Sequence, residues 1–220
     1  NEQAFKNNLM IIEDLKRKRD MTLNVHNFAE VLRKFGEAHK IRPLLQAAPH
    51  FIEDNPFLIE MKLKNLPPKY WDKNEIALYC GPQFTVWSPK RYSNPQGSFI
   101  GGSEEAVIHI SRELQKQGWK VTVYADPGDE EGMYDDVKWV PYYKFNNQDK
   151  FNILIVWRRI DFVDQNLSAK KIYIWNHDIQ NPDHWNEDRI KKIEKAFFLS
   201  KWHRENIPNL PEDKVIITSN

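Results

Sequence analysis

The sequence is poor in the features that mark several classes of protein. Its 220 residues include a single cysteine, Cys80, so neither an internal disulfide nor a cysteine-based zinc site can form. The formal net charge is only +1, so no overall field draws the chain to nucleic acid, and we expect no nucleic-acid partner. No apolar run is long enough to span a membrane and no signal peptide is recognisable, which favours a cytoplasmic location. Because Cys80 lies in the apolar run "IALYCG", we expect it to be a buried hydrophobic side chain.

Hydrophobic residues make up 40% of the chain, and 13% is aromatic, which is typical of a folded protein with a sizeable core. The chain does not begin with methionine, so we expect it to be a piece of a longer protein.

Residues 1–72 carry the period of amphipathic helices and predict a helical arm. The apolar side chains of Leu9, Ile12 and Leu15 recur at helical spacing, and a second set follows Asn24, a predicted N-cap. Pro43 and Pro49 punctuate a third segment, and Asn55 before Pro56 is a further predicted cap. Helical hairpins of this size suggest either a small tetratricopeptide-like stack or a linker or docking arm for a protein partner, although no clean internal repeat is present.

Residues 73–220 change to short apolar runs separated by polar or helical segments. The runs are "IALYCG", "KVTVYA", "KWVPYY", "FNILIVW", "KIYIWN", "KAFFLS" and "KVIITSN". Several are apolar at consecutive positions, which is typical of strands buried on both faces. A helix predicted over 103–117, ended by Gly118, completes a βαβ unit. The predicted fold class is therefore α/β, a parallel sheet with helices on both faces.

Gly101 and Gly102 stand at the start of that helix, although the chain has only eight glycines. Adjacent glycines let a ligand approach the backbone closely, and the first turn of a helix offers free N–H groups to a phosphate or carboxylate. The pattern is not the G-x-G-x-x-G dinucleotide fingerprint. Spacing therefore leaves a structural turn and a ligand-binding loop both open.

Three ordered segments give a more specific indication. They resemble segments of GT-B glycosyltransferases of the retaining family 4. The family's glycine loop, first helix and second strand are matched by "GGSEEAVIHISRELQKQGWKVTVYA", and its later strand ending in His is matched by "KKIYIWNHDI". A further segment of the family is matched by "KAFFLSKWHRENI" with "LPEDKVIITSN". The resemblance covers roughly residues 101–220. It implies a Rossmann-like αβα sandwich, the acceptor-side N-terminal half of a two-domain hexosyltransferase whose C-terminal, donor-binding domain is absent from this chain. We therefore expect residues 1–220 alone to be inactive.

The resemblance also assigns residues. It places the backbone of Gly101 and Gly102 near the donor phosphate and the acceptor, with Ser103 and Glu104 in the first helical turn. His177 matches the family's active-site histidine, and Asp178 is a weaker catalytic candidate. The partners implied are a nucleotide-sugar and an unknown acceptor, which is a glycan, a lipid-linked sugar or a protein. No cofactor and no metal are expected.

Arg158 and Arg159 follow an apolar strand directly, so they are expected at the ligand-facing edge of the sheet. An arginine there, with Arg158 as the binding candidate, either meets a phosphate or acidic sugar or forms a solvated ion pair with Asp161. His177 could instead be a histidine at the edge of the core, and Glu104 could simply complement the helix N-terminus.

His184 and His203 are expected on the surface, and the spacing of His177, Asp178, Asp183 and His184 matches no standard zinc pattern. The alternative to an enzyme fragment is a non-catalytic binding or scaffold module that combines a Rossmann-like domain with a helical arm.

Overall fold

The structure of the protein is a computed structural model that describes residues 2–36, 67–83, 85–93 and 100–218. The chain divides into two compact units, Asn1–Pro67 and Pro68–Asn220. No helix in the described ranges is both long and apolar enough to cross a membrane.

The first unit contains α1 (Glu2–Lys34), a single helix of 33 residues. The prediction that Asn24 caps a second helix is wrong, because the helix passes through that position without a break. No proline or glycine lies between Glu2 and Lys34, and an asparagine inside a helix costs well under about 1 kcal/mol relative to alanine. The segments predicted around Pro43 and Pro49, and the cap predicted at Asn55, lie outside the described residues.

The second unit is an α/β domain, as the sequence predicts. Its strands are β1 (Glu75–Tyr79), β2 (Lys120–Ala125), β3 (Gly132–Tyr134), β4 (Val137–Pro141), β5 (Lys150–Trp157), β6 (Ser168–Trp175), β7 (Lys195–Phe198) and β8 (Val215–Ile217). Its helices are α2 (Pro89–Tyr92), α3 (Gly102–Lys116), α4 (Glu187–Lys192) and α5 (Lys201–Glu205). Helix α3 ends where predicted, with Gln117 as the C-cap and Gly118 at φ +90°.

The eight strands form one sheet in the order β3-β4-β2-β1-β5-β6-β7-β8. All neighbouring pairs are parallel except β3 and β4, an antiparallel pair at one edge. From β1 the chain first moves outward to β2 and β4, and it then returns to β5 and moves the other way. The order therefore reverses between β1 and β5, and in open parallel sheets the ligand crevice lies at the carboxyl ends of the strands at such a reversal.

Both faces of the sheet carry a hydrophobic core. On β1, Leu78 packs with Val107 and Ile108 of α3, whereas its neighbour Ala77 belongs to the cluster on the opposite face. Successive residues of a strand point to opposite faces, so α3 covers one face of the sheet. The second cluster includes Ile190 of α4 and residues of a 3-10 helix, Ile160–Asp164, that follows β5. Cys80 is 3% exposed, and burial raises the pKa of its thiol, which confirms the expectation of a buried side chain.

Candidate functional site

The candidate site lies at the carboxyl edge of the sheet where the strand order reverses. Arg158 comes directly after β5, and His177 and Asp178 follow β6 by two and three residues. Helix α3 begins at Gly102, and its first turn contributes Ser103 and Glu104.

Arg158 has a left-handed backbone, with φ +68°, which is uncommon for a residue with a side chain. Its N–H donates to the carbonyl of Trp175 at 2.9 Å, which ties the end of β5 to the end of β6. The guanidinium lies over the ring of Trp157, 3.8 Å from the ring centroid. The backbone and the stacked ring together aim the side chain across the carboxyl edge.

The Arg158 side chain connects three segments of the chain. Its Nε lies 2.9 Å from Asp178 Oδ2, and its Nη1 lies 3.6 Å from Glu104 Oε1. Its Nη2 donates to Ser103 Oγ, and its Nη1 donates to Gln83 Oε1 at 3.2 Å. One positive and two negative groups therefore meet here, and carboxylates that share a cation keep lone pairs free to accept from a ligand hydroxyl.

Of the residues predicted for the site, Ser103, Glu104 and Asp178 are thus brought together by Arg158. The ion pair predicted with Asp161 is formed by Arg159, at 2.5 Å, whereas Arg158 turns to the carboxyl edge. Sequence reasoning missed Gln83, which lies three residues after the buried Cys80 and carries no motif.

The two glycines differ in what surrounds them. A Cβ built on Gly101, the N-cap of α3, would lie 2.4 Å from Glu104 Oε2 and would push that carboxylate away. A Cβ on Gly102 would meet no described atom within 4 Å. Packing within the described part of the chain therefore gives no reason for a glycine at 102, so the open space beside its backbone is available to a ligand.

We expect Gly102→Ala to leave the free energy of unfolding unchanged or to raise it by up to about 1 kcal/mol, because alanine favours a helix over glycine. If the full-length protein is an enzyme whose substrate approaches this backbone, the same change should lower its turnover, and Gly102→Val should lower it further. Urea unfolding and initial rates measure the two effects. Gly118→Ala is the control, since φ +90° there should cost about 1 kcal/mol without touching the site.

His177 lies between two tryptophan rings. Its ring centroid is 4.5 Å from that of Trp175 and 5.8 Å from that of Trp157, both edge-on. Neither ring nitrogen is exposed, and neither has a hydrogen-bond partner among the described residues. Burial, assisted by the nearby positive charge of Arg158, lowers the pKa of His177 to about 4. The imidazole is therefore neutral near pH 7, with one nitrogen able to donate and the other to accept.

This lowered pKa predicts a pH dependence of stability. In the unfolded chain a histidine titrates near pH 6.5. Between about pH 6.5 and 4 the unfolded state is therefore protonated at this histidine, whereas folded His177 stays neutral. The free energy of unfolding should therefore fall as the pH falls through this window, and it should not change further from this source below about 4. Urea unfolding at a series of pH values tests this, and His177→Phe should reduce the slope.

His203 was expected on the surface, and this expectation is wrong, because it is only 5% exposed. Most residues of α5 are polar, but the His203 ring packs inward against Phe198, with the ring centroids 5.4 Å apart. His184 is exposed, as expected. Among the described residues no group of three or more His, Cys, Asp or Glu side chains could hold a metal ion.

An apolar groove of 780 Å³ adjoins the site. One wall is α3, and the other is formed by residues of β5, β6 and β7. Its lining includes Gly102, Ala106, Ile110, Ile155, Trp175 and Phe197. Since Gly102 begins α3 and Trp175 contacts His177, the groove reaches the same edge of the sheet as the Arg158 cluster.

Comparisons with known protein families, with curated proteins and with solved structures found no match to this chain.

Proposed function

We propose that residues 73–220 are the Rossmann-like, acceptor-side domain of a retaining GT-B glycosyltransferase of the family 4 type. The full-length enzyme would be a cytoplasmic hexosyltransferase that moves a sugar from a nucleotide-sugar to an acceptor hydroxyl. The observation that carries the proposal is the meeting of the α3 N-terminus with the end of β6 around Arg158, beside the reversal of strand order. This is the position at which open parallel sheets bind ligands.

The residues divide the work by their chemistry. The first turn of α3 presents backbone N–H groups and the positive end of the helix dipole to the departing diphosphate. Glu104 and Asp178 accept hydrogen bonds from sugar hydroxyls while Arg158 holds both carboxylates in place. Neutral His177 would offer a hydrogen bond to a hydroxyl near the transferred carbon once a small movement exposes one of its ring nitrogens, both of which are buried here. No covalent nucleophile and no metal are invoked.

The donor would be held mainly by a second domain, so the proposal predicts different behaviour for this chain and for the full-length gene product. We expect residues 1–220 to bind UDP-, GDP- and ADP-hexoses no better than weakly in calorimetry, and to release no nucleoside diphosphate. The full-length product should release it in the presence of an acceptor sugar. Donor binding by this chain at micromolar affinity or better, or a full-length product inert towards all donors, would contradict the proposal.

A second candidate function, a binding or scaffold module, is favoured by the apolar groove and by exposed apolar side chains on α1, among them Met10, Leu15 and Phe28. The two functions predict opposite patterns of mutational sensitivity. In a scaffold, Ile110→Glu in the groove should abolish binding of the protein partner, and His177→Phe should leave that binding intact. In a transferase, His177→Phe is the damaging change.

A further inference from the structure

His203 lies in α5, outside the set of residues that meet at Arg158. Ser200 caps this short helix by accepting the N–H of His203 at 3.0 Å. The imidazole is only 5% exposed and packs edge-on against Phe198. Most polar groups buried this deeply have hydrogen-bond partners.

Both ring nitrogens of His203 have hydrogen-bond partners. The N–H of Leu199 donates to His203 Nδ1 at 3.4 Å, so that nitrogen is the acceptor. Nε2 lies 2.8 Å from the backbone carbonyl oxygen of Asp178, and since a carbonyl only accepts, Nε2 carries the proton. The surroundings therefore fix one neutral tautomer of His203.

The carbonyl that His203 holds belongs to the segment that carries His177. On the other side of His177, the N–H of Asn176 donates to the carbonyl of Phe197 at 3.0 Å, and its side-chain amide donates to the same oxygen at 3.3 Å. His177 is thus flanked by two attachments, one to Phe197 of β7 and one to His203 of α5. Only the one made by His203 lies on the Asp178 side, towards the pair that Asp178 forms with Arg158.

We propose that His203 is a positioning residue, which clamps the segment 176–178 to α5 and so keeps the His177 ring between Trp157 and Trp175. Its effect on turnover rests on the proposed transferase function. Its effect on the placement of His177 does not, so the two can be tested separately.

The test compares His203→Phe with His203→Gln. Phenylalanine keeps the aromatic packing on Phe198 but makes neither hydrogen bond, whereas glutamine can still donate to Asp178. Ser200→Ala is the matched control, because it removes the cap of α5 and leaves the imidazole in place. The probe is the His177 Hε1 resonance of the folded chain, followed by NMR from pH 3 to 8.

We expect the pKa of His177 to stay near 4 in the wild type, in His203→Gln and in Ser200→Ala. In His203→Phe it should rise by at least about one unit towards 6.5, because a released segment exposes the ring to water. The titratable or charged groups that interact with His177 are Arg158 and His203, and glutamine and phenylalanine both remove the imidazole of His203 while leaving Arg158 in place. Equal rises in both variants would therefore report the lost imidazole and not the lost clamp, and would overturn the proposal, as would a value near 4 in His203→Phe.

In the full-length enzyme, His203→Phe should lower kcat by at least about tenfold with little change in KM, since the clamp orients a group that acts in the transition state. His203→Gln should restore most of the rate. If His203→Phe shifts the pKa of His177 but the full-length protein has no transferase activity, the positioning role is supported and the proposed function is wrong.

Discussion

Replacing His177 by alanine is expected to lower the turnover of the proposed full-length transferase by a factor on the order of 10² or more, the range for a positioned polar catalytic group. The imidazole is neutral near pH 7, because its pKa is lowered to about 4. Its two nitrogens have no partner among the described residues, so a hydrogen bond to substrate would cost no existing bond. A contact that strengthens as charge develops lowers the barrier, so its loss should appear in kcat more than in KM.

Alanine also leaves a void between Trp157 and Trp175, so part of any loss could come from disturbed packing. His177→Phe separates the two effects, because it fills the space between the tryptophans and lacks both nitrogens. We expect it to be as inactive as His177→Ala while unfolding at a similar urea concentration to the wild type. A folded His177→Phe enzyme with wild-type kcat would show that His177 has no catalytic role.

The central parallel strands were predictable because they are largely buried on both faces. The runs that form β1, β5 and β6 are apolar at consecutive positions, which is typical of such strands. Strand β3 was not predicted. It has three residues, Gly132–Tyr134, it lies at the edge, and Met133 is 60% exposed, so neither length nor periodicity marks it.

The candidate site was predictable where position along the chain settles position in space. Arg158 could be placed at the carboxyl edge because it follows a strand directly. The partners of Arg158 could not be predicted. Asp161 is close in sequence, whereas Asp178 and Glu104 come near Arg158 only because β5 pairs with β6 and α3 begins at the same edge. His203 was misplaced for a related reason: its burial comes from a long-range contact with the Asp178 carbonyl.

Arg158→Ala is expected to lower the free energy of unfolding by about 2 to 3 kcal/mol, the range for leaving a largely buried charge without its partner. The Glu104 side chain is 15% exposed, so without Arg158 its carboxylate would be unpaired and poorly solvated. The Asp178 side chain is 56% exposed, so water would solvate its carboxylate. The stacking on Trp157 would be lost as well. Urea unfolding at neutral pH measures the change.

Two further variants divide this loss between the side chain and the backbone. Arg158→Gly removes the same contacts but accepts φ +68° without strain, so it should be more stable than Arg158→Ala by about 1 kcal/mol. Arg159→Ala, one residue further on, breaks only the pair with Asp161, in which Arg159 is 55% exposed, and should cost less than about 1 kcal/mol. If Arg158→Ala proves no more destabilising than Arg159→Ala, Arg158 does not hold α3 and the end of β6 together. The cluster would then owe its geometry to the backbone alone.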